Sequence, residues 1–230
     1  TIESVFAQDY PSLELIVVDD CSSDSTFEIA SSLTTERNIN RIIQKNPQNM
    51  GECWTSNKGF DLETGAFITR ISSDDKYVDP HHISNQVETL ERSGADWCYN
   101  SVTATGSDLE NSRLERGYWL PVPLKYAREP MKHFDNLVLR FPSLAFRIWV
   151  RRNPVNSSSL MIRAGSYRKI AGDTPFRTTW DTIILGRMFR AGFRGVAIDS
   201  VGTFYRIHRD QTLNNPVFWD ELPKIRDSFH

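Results

Sequence analysis

The sequence predicts an α/β protein with a mostly parallel central sheet flanked by helices. Three observations carry this reading. "LELIVVDD" (13–20) is a short, nearly continuous Leu/Ile/Val run, the pattern of a parallel strand buried on both faces. Strand-like and helix-like stretches then alternate up to residue 106. The helical patterns stop at glycines, among them Gly65, Gly172 and Gly192.

Each element has its own warrant. "TIESVFAQDYPS" puts Ile2, Val5 and Phe6 on one helical face. Neither a capping run nor a strand comes before it, so the expectation is a chain whose first element is missing. After the strand at 13–20, "CSSDST" supplies Ser and Asp caps for a helix over 26–33. "NRIIQK" (40–45) reads as a second strand. The loop "NPQNMG" leads to a helix over 52–62, and "AFITRIS" (66–72) is a third strand. A helix with a Pro start covers 80–94, and its first-turn His81 and His82 read as solvated. "ADWCYNSVTATG" (95–106) is a fourth strand. Farther on, "SLMIRAGSYRKIAG" offers a strand and a short helix. "WDTIILGRMFRAG" (180–192) is an amphipathic helix, and "FRGVAIDSVGTFYRIH" (193–208) is a pair of short strands.

Bulk properties narrow the function. Of 230 residues, 39% are hydrophobic and 24% charged, which suits a globular protein with a sizeable core. The net charge of −2 provides no basic field for nucleic acid, and none is expected as a partner. Cys21, Cys53 and Cys98 lack metal-ligand spacing and read as reduced thiols, which points to the cytoplasm. No run reaches the roughly 18 apolar residues of a membrane span. The segment 124–152 is basic and rich in Phe, Leu and Trp. It reads as an amphipathic insertion over the sheet, with peripheral contact at the inner face of a membrane as the alternative.

The chemistry is expected at strand ends. No G-x-G-x-x-G, P-loop or G-x-S-x-G pattern is present, which removes most support for dinucleotide enzymes, P-loop enzymes and serine hydrolases. In "RISSDDKYVDP" (70–80), Asp74 and Asp75 follow a predicted strand. Adjacent carboxylates repel unless solvent or a cation relieves them. Either this is a solvated turn, or oxygen ligands gather there for Mg²⁺ or Mn²⁺ beside a substrate phosphate. Asp20 also ends a strand, and ligands of such sheets bind outside the carboxyl ends of strands.

Four ordered motifs carry a resemblance. "SVFAQDYPSLELIVVDDCSSDSTFEIA" resembles the opening of the family 2 glycosyltransferases of GT-A fold. "NMGECWTSNKGFDLETGAFITRISSDD", "WDTIILGRMFRAGF" and "FYRIH" resemble that family's later motifs, and the set spans residues 1–210. The resemblance implies an inverting transfer of a sugar from a nucleotide-sugar donor, a UDP-sugar, to a hydroxyl of a glycan or other acceptor in polysaccharide synthesis. It implies roles by position. Asp20 accepts a hydrogen bond from the nucleotide base. Asp74 and Asp75 lie by the metal, Mg²⁺ or Mn²⁺, and the diphosphate. Asp181 is the general base, and His208 helps hold the metal or diphosphate. Trp180 is the candidate to stack on an acceptor sugar. The catalytic domain would span 1–210 without its first strand, and 211–230 would be a helical tail. Two departures stand out: Ser72 occupies a place usually held by Asp, and Trp180 one usually held by Glu. The alternative function is a non-catalytic GT-A module that binds a glycan or protein partner.

Overall fold

The computed structural model describes residues 1–105, 113–115, 130–150, 153 and 155–229. Helix α1 (Ile2–Phe6) is followed by β1 (Glu14–Asp19), α2 (Thr26–Ser32), β2 (Asn40–Lys45), α3 (Glu52–Asp61), β3 (Phe67–Thr69) and β4 (Lys76–Tyr77). Next come α4 (His82–Ser93), β5 (Trp97–Thr105), β6 (Arg113–Glu115), α5 (Pro130–Leu139) and α6 (Pro142–Trp149). The chain continues through β7 (Leu160–Arg163), α7 (Ala164–Ile170), α8 (Trp180–Arg190), β8 (Gly195–Arg206) and α9 (Pro216–Asp227).

The α/β alternation matches the sequence reading, but the sheet is mixed rather than mostly parallel. β1 pairs with β2 in parallel. The other strands run in the order β3-β7-β5-β8-β4, with β6 also on β5. Here the described residues give one parallel pair, β5 with β8; the remaining pairs are antiparallel. β3 and β5 are each antiparallel to β7, so they share a direction. The helical crossovers impose that common direction. β7, β4 and β6 are inserted against it, and an apolar run such as "LMIR" looks the same in either sense. The two strands expected over 193–208 are one, β8. Its pairing with β5 shifts register around Ser101, where Asp199, Ser200 and Gly202 imitate a turn in the sequence.

Alternation along the strands divides the core into two layers. Trp97 and Tyr99 of β5, Leu160 and Ile162 of β7 and Ala197 of β8 face a cluster with Trp149, Trp180, Ile184 and Leu185. Their neighbours Cys98, Met161, Val196 and Ile198 face the other layer, with Val5, Tyr77, Ile83 and Leu90. α8 is buried nearly all round. At Gly186 an added Cβ would come 2.7 Å from the rings of Phe229 and Trp149, so only glycine admits that contact. His82, expected in solvent, is 1% exposed. Its ring packs 4.6 Å from that of Tyr77, under the backbone of Gly202.

β1 departs from its expected double burial. Leu15, Ile16, Val17 and Val18 are only half-buried. The described residues supply no partner to the edge of β1 away from β2, nor to the edge of β3 away from β7. A cavity of about 2100 Å³ lies between them, walled by Leu15, Val17, Phe67, Ile71 and Tyr77. Of the segment 124–152, residues 124–129 and 151–152 lie outside the described residues. α5 and α6 bury Val138, Leu139, Ala145 and Trp149, and they expose Leu137 and Leu144, with Phe141 exposed between them. Among the described residues, no helix is long and apolar enough to cross a membrane. The segment read as a tail holds a short 3-10 turn (Thr212–Asn214) and α9, whose Ile225 is buried in the core beside α8.

Candidate active site

The cavity beside β1 continues past the strand ends into a cleft lined by Asp20, Asp74, Asp181 and His208. Asp20 leaves β1 and organises the loop before α3. Its Oδ1 accepts Met50 N–H at 2.8 Å and Asn46 Nδ2 at 2.9 Å, and its Oδ2 accepts Gly51 N–H at 2.8 Å. Burial works to raise its pKa, yet hydrogen bonds from Asn46, Met50, Thr55 and Gly51 outweigh burial and hold it below the usual range. The next residue, Cys21, has φ 65°. The described residues include one other non-glycine residue at positive φ, Thr179, two places before Asp181. Such strain gathers where surrounding contacts over-determine a functional site.

The paired acids separate. Asp75 turns inward and is 2% exposed. Its Oδ2 accepts the Ser158 hydroxyl at 2.5 Å and its Oδ1 accepts Arg206 N–H at 3.0 Å. Burial raises its pKa to about 6, against the pull of those two donors. Asp74 turns outward, where its Oδ2 lies 2.8 Å from His208 Nε2, both side chains about one-third exposed. Asp75 does not line the cleft. The neighbouring acids thus take opposite orientations, one in a hydrogen-bond cage and one beside an imidazole, and the charge of Asp74 still helps to raise the pKa of Asp75. Among the described residues, no group of three or more His, Cys, Asp or Glu side chains is arranged to hold a metal ion. The Asp74 carboxylate is a hard oxygen donor of the kind that divalent cations such as Mg²⁺ and Mn²⁺ take, with substrate oxygens completing the shell.

Asp181 sits in the first turn of α8. Its Oδ1 accepts Thr182 N–H at 2.6 Å, and Asn153 Nδ2 lies 3.5 Å from Oδ2. Burial, then the charge of Glu52, raises its pKa to about 6, and Arg70 acts against them. The approach to α8 is tied down from both sides. Glu221 of α9 accepts Thr178 N–H at 2.9 Å and the Thr178 hydroxyl at 2.7 Å, and Glu52 accepts Thr179 N–H at 3.1 Å. Trp180 requires correction as the acceptor-stacking residue. It is 1% exposed, stacks on Phe60 at 4.6 Å and donates its indole N–H to Asn57, so no ring face is open to a sugar. Sequence reasoning missed Glu52, Arg70, Ser158 and Glu221. Their partners are distant in the chain, and no local pattern marks them.

Residues 1–152 match the family described as Glycosyl transferase family 2. EpsE of Bacillus subtilis (strain 168) is 26% identical over 213 residues, which cover 91% of this chain and 67% of EpsE. UDP-Glc:alpha-D-GlcNAc-diphosphoundecaprenol beta-1,3-glucosyltransferase WfaP of Escherichia coli is 31% identical over 101 residues, 44% of this chain and 39% of WfaP. Among solved structures, S. aureus TarS 1-349 in complex with UDP-GlcNAc superposes with a TM-score of 0.68 at 14% identity, over 99% of this chain and 61% of that one. Mannosyltransferase PcManGT from Pyrobaculum calidifontis, in complex with GDP-Man and Mn²⁺, gives 0.61 at 14% identity, over 91% of this chain and 52% of that one. The chain thus spans about two-thirds or less of these proteins, and the structural likenesses show the fold, GT-A. Because the family match covers most of the chain and takes in β1, α3 and the Asp74–Asp75 turn, the chain belongs to glycosyl transferase family 2.

Proposed function

We propose that this chain transfers a sugar from a nucleotide-sugar donor, a UDP-sugar, to a hydroxyl of an acceptor glycan with inversion. The observation that carries this reading is that Asp20, Asp74, His208 and Asp181 line one cleft beyond the strand ends. Asp20 presents its carboxylate to a donor N–H of the base. Asp74 and His208 are the residues that would hold a divalent cation, Mg²⁺ or Mn²⁺, which would supply neutralisation of charge on the diphosphate. Asp181 takes the proton of the acceptor hydroxyl as that oxygen bonds to the anomeric carbon and the carbon–diphosphate oxygen bond breaks. The complexes of TarS with UDP-GlcNAc and of PcManGT with Mn²⁺ support the donor class and the cation. The slot between β1 and β3 seats one further strand, which would pair both edges and cover their apolar residues. Exposed Leu137, Phe141 and Leu144, with Arg140 beside them, rest on an anionic membrane surface.

The test is release of UDP from a panel of UDP-sugars by the full protein, with and without acceptor glycans. Acceptor-dependent release is the expected result; no turnover of any nucleotide sugar overturns the enzymatic reading. A second reading, a non-catalytic module that binds a glycan, is favoured by the engagement of both Asp75 oxygens within the protein. Sugar binding without turnover is its signature.

A further inference from the structure

α8 begins from a strained residue. Thr179 has φ 60° and ψ 39°, a conformation that a β-branched side chain rarely adopts. One carboxylate holds it. Glu52 Oε2 accepts Thr179 N–H at 3.1 Å, and Glu52 Oε1 lies 3.1 Å from Arg70 Nη2. The Arg70 guanidinium lies 5.6 Å from the ring centroid of Trp180. Its Nη1 is shut from solvent, with no hydrogen-bond partner among the described residues. Three elements, α3, the end of β3 and the start of α8, thus meet at one ion pair beside Asp181. Glu52, Arg70, Thr179 and Asp181 all line the cleft.

We propose that Glu52 and Arg70 are positioning residues for Asp181: the pair fixes the strained approach to α8 and sets the balance of charge that Asp181 faces. The proposal rests on the reading of Asp181 as the base. The titratable groups around Asp181 are Glu52 and Cys53 from α3, Arg70 after β3 and Tyr205 from β8. α9 adds Glu221, bound to Thr178, and Arg226, which lines the cleft. Of these, Glu52 and Arg70 are the charged pair that acts on Asp181, and they act in opposite senses. In this role both act through Asp181.

The pH dependence of kcat in the full protein tests this. Glu52→Gln keeps an acceptor for Thr179 N–H and removes the negative charge, so the acid limb moves to lower pH. Arg70→Met removes the positive charge, so the limb moves to higher pH. Each displacement is expected to be at least about half a pH unit, within the range that a neighbouring charge produces. Arg70→Lys brings the limb back toward the parent. A purely structural role lowers the rate at every pH and leaves the limb in place. Asp181→Asn separates the two readings. If Asp181→Asn abolishes transfer while Glu52→Gln and Arg70→Met keep the parental limb, the pairing inference falls and the base reading stands. If Asp181→Asn transfers as fast as the parent, the base reading falls and the inference with it.

Discussion

His208 Nε2 lies 2.8 Å from Asp74 Oδ2, across 134 residues of chain. β8 carries His208 back over the turn that presents Asp74, so nitrogen and oxygen donors meet at the mouth of the cleft. A cation placed there would meet both. UDP is therefore expected to bind more tightly with Mn²⁺ than with chelator. Asp74→Asn should remove at least about tenfold of that difference, the lower end of what lost support costs a metal site. Calorimetry measures it, and equal UDP affinities with and without Mn²⁺ in the parent would overturn the metal role.

Asp75 is expected to answer differently from its neighbour. Asp75→Ala leaves the Ser158 hydroxyl and the Arg206 N–H without their acceptor. Each buried unsatisfied group costs about 1–3 kcal/mol. A loss of that size lowers the melting temperature by about 2–4 °C per kcal/mol in a protein of this length. Asp74→Ala removes a part-exposed pair worth about 0–1 kcal/mol and should melt near the parent. Equal melting temperatures for the two variants would show that the cage around Asp75 carries no stability.

Much of this site is legible in the sequence because its acids sit near the boundaries of recognisable elements. The apolar run before Asp20 marks a strand, and the apolar spacing after Asp181 marks a helix start. What lies beyond the local pattern is orientation. Nothing in "SSDD" says that Asp75 faces Ser158 while Asp74 faces His208, because their partners come 83 and 134 residues later. Trp180 reads as a sugar platform from its place beside Asp181, but Phe60 and Asn57, brought in by α3, enclose it. The antiparallel insertion of β7 is invisible for a related reason. A buried strand shows its apolar content in sequence, and its direction depends on which sheet edges are free.

His82 offers a test of burial through acid stability. Burial lowers its pKa from 6.5 to about 4, and neither ring nitrogen has a hydrogen-bond partner among the described residues. The unfolded chain therefore binds the proton first. Stability is intact above about pH 6.5 and is lost as pH falls toward 4. His82→Phe removes this titration, so its melting temperature should fall less than the parent's across that window. Parallel melting curves for the two proteins from pH 7 to 4.5 would show that His82 is charged in the fold.

The exposed face of α5 and α6 predicts lipid binding. Leu137, Phe141 and Leu144 are 48%, 57% and 45% exposed. Phe141→Ser with Leu144→Ser should weaken cosedimentation with vesicles that contain phosphatidylglycerol, and high salt should weaken it in the parent. No binding of the parent to anionic vesicles at low salt would remove the membrane reading.

Asp181 carries the catalytic claim, and its position sets both a rate and a pH expectation. The carboxylate lies in the first turn of α8, where the helix dipole favours its charge, yet burial and Glu52 raise its pKa to about 6. A base must be ionised to accept a proton. The rate is therefore expected to be nearly full at pH 7 and to fall about tenfold per unit once pH drops below 6. Asp181→Asn keeps the size of the side chain and an oxygen for Thr182 N–H, so the fold and UDP affinity should persist. Transfer should fall by roughly 10²–10⁴-fold, the usual worth of a positioned base, and the remaining rate should lose its acid limb. The measurement is UDP release with acceptor across pH 5 to 8, with circular dichroism at each pH to show that the protein stays folded. A parental rate that stays flat through pH 6, or a variant that keeps the parental profile, would assign proton removal to another group.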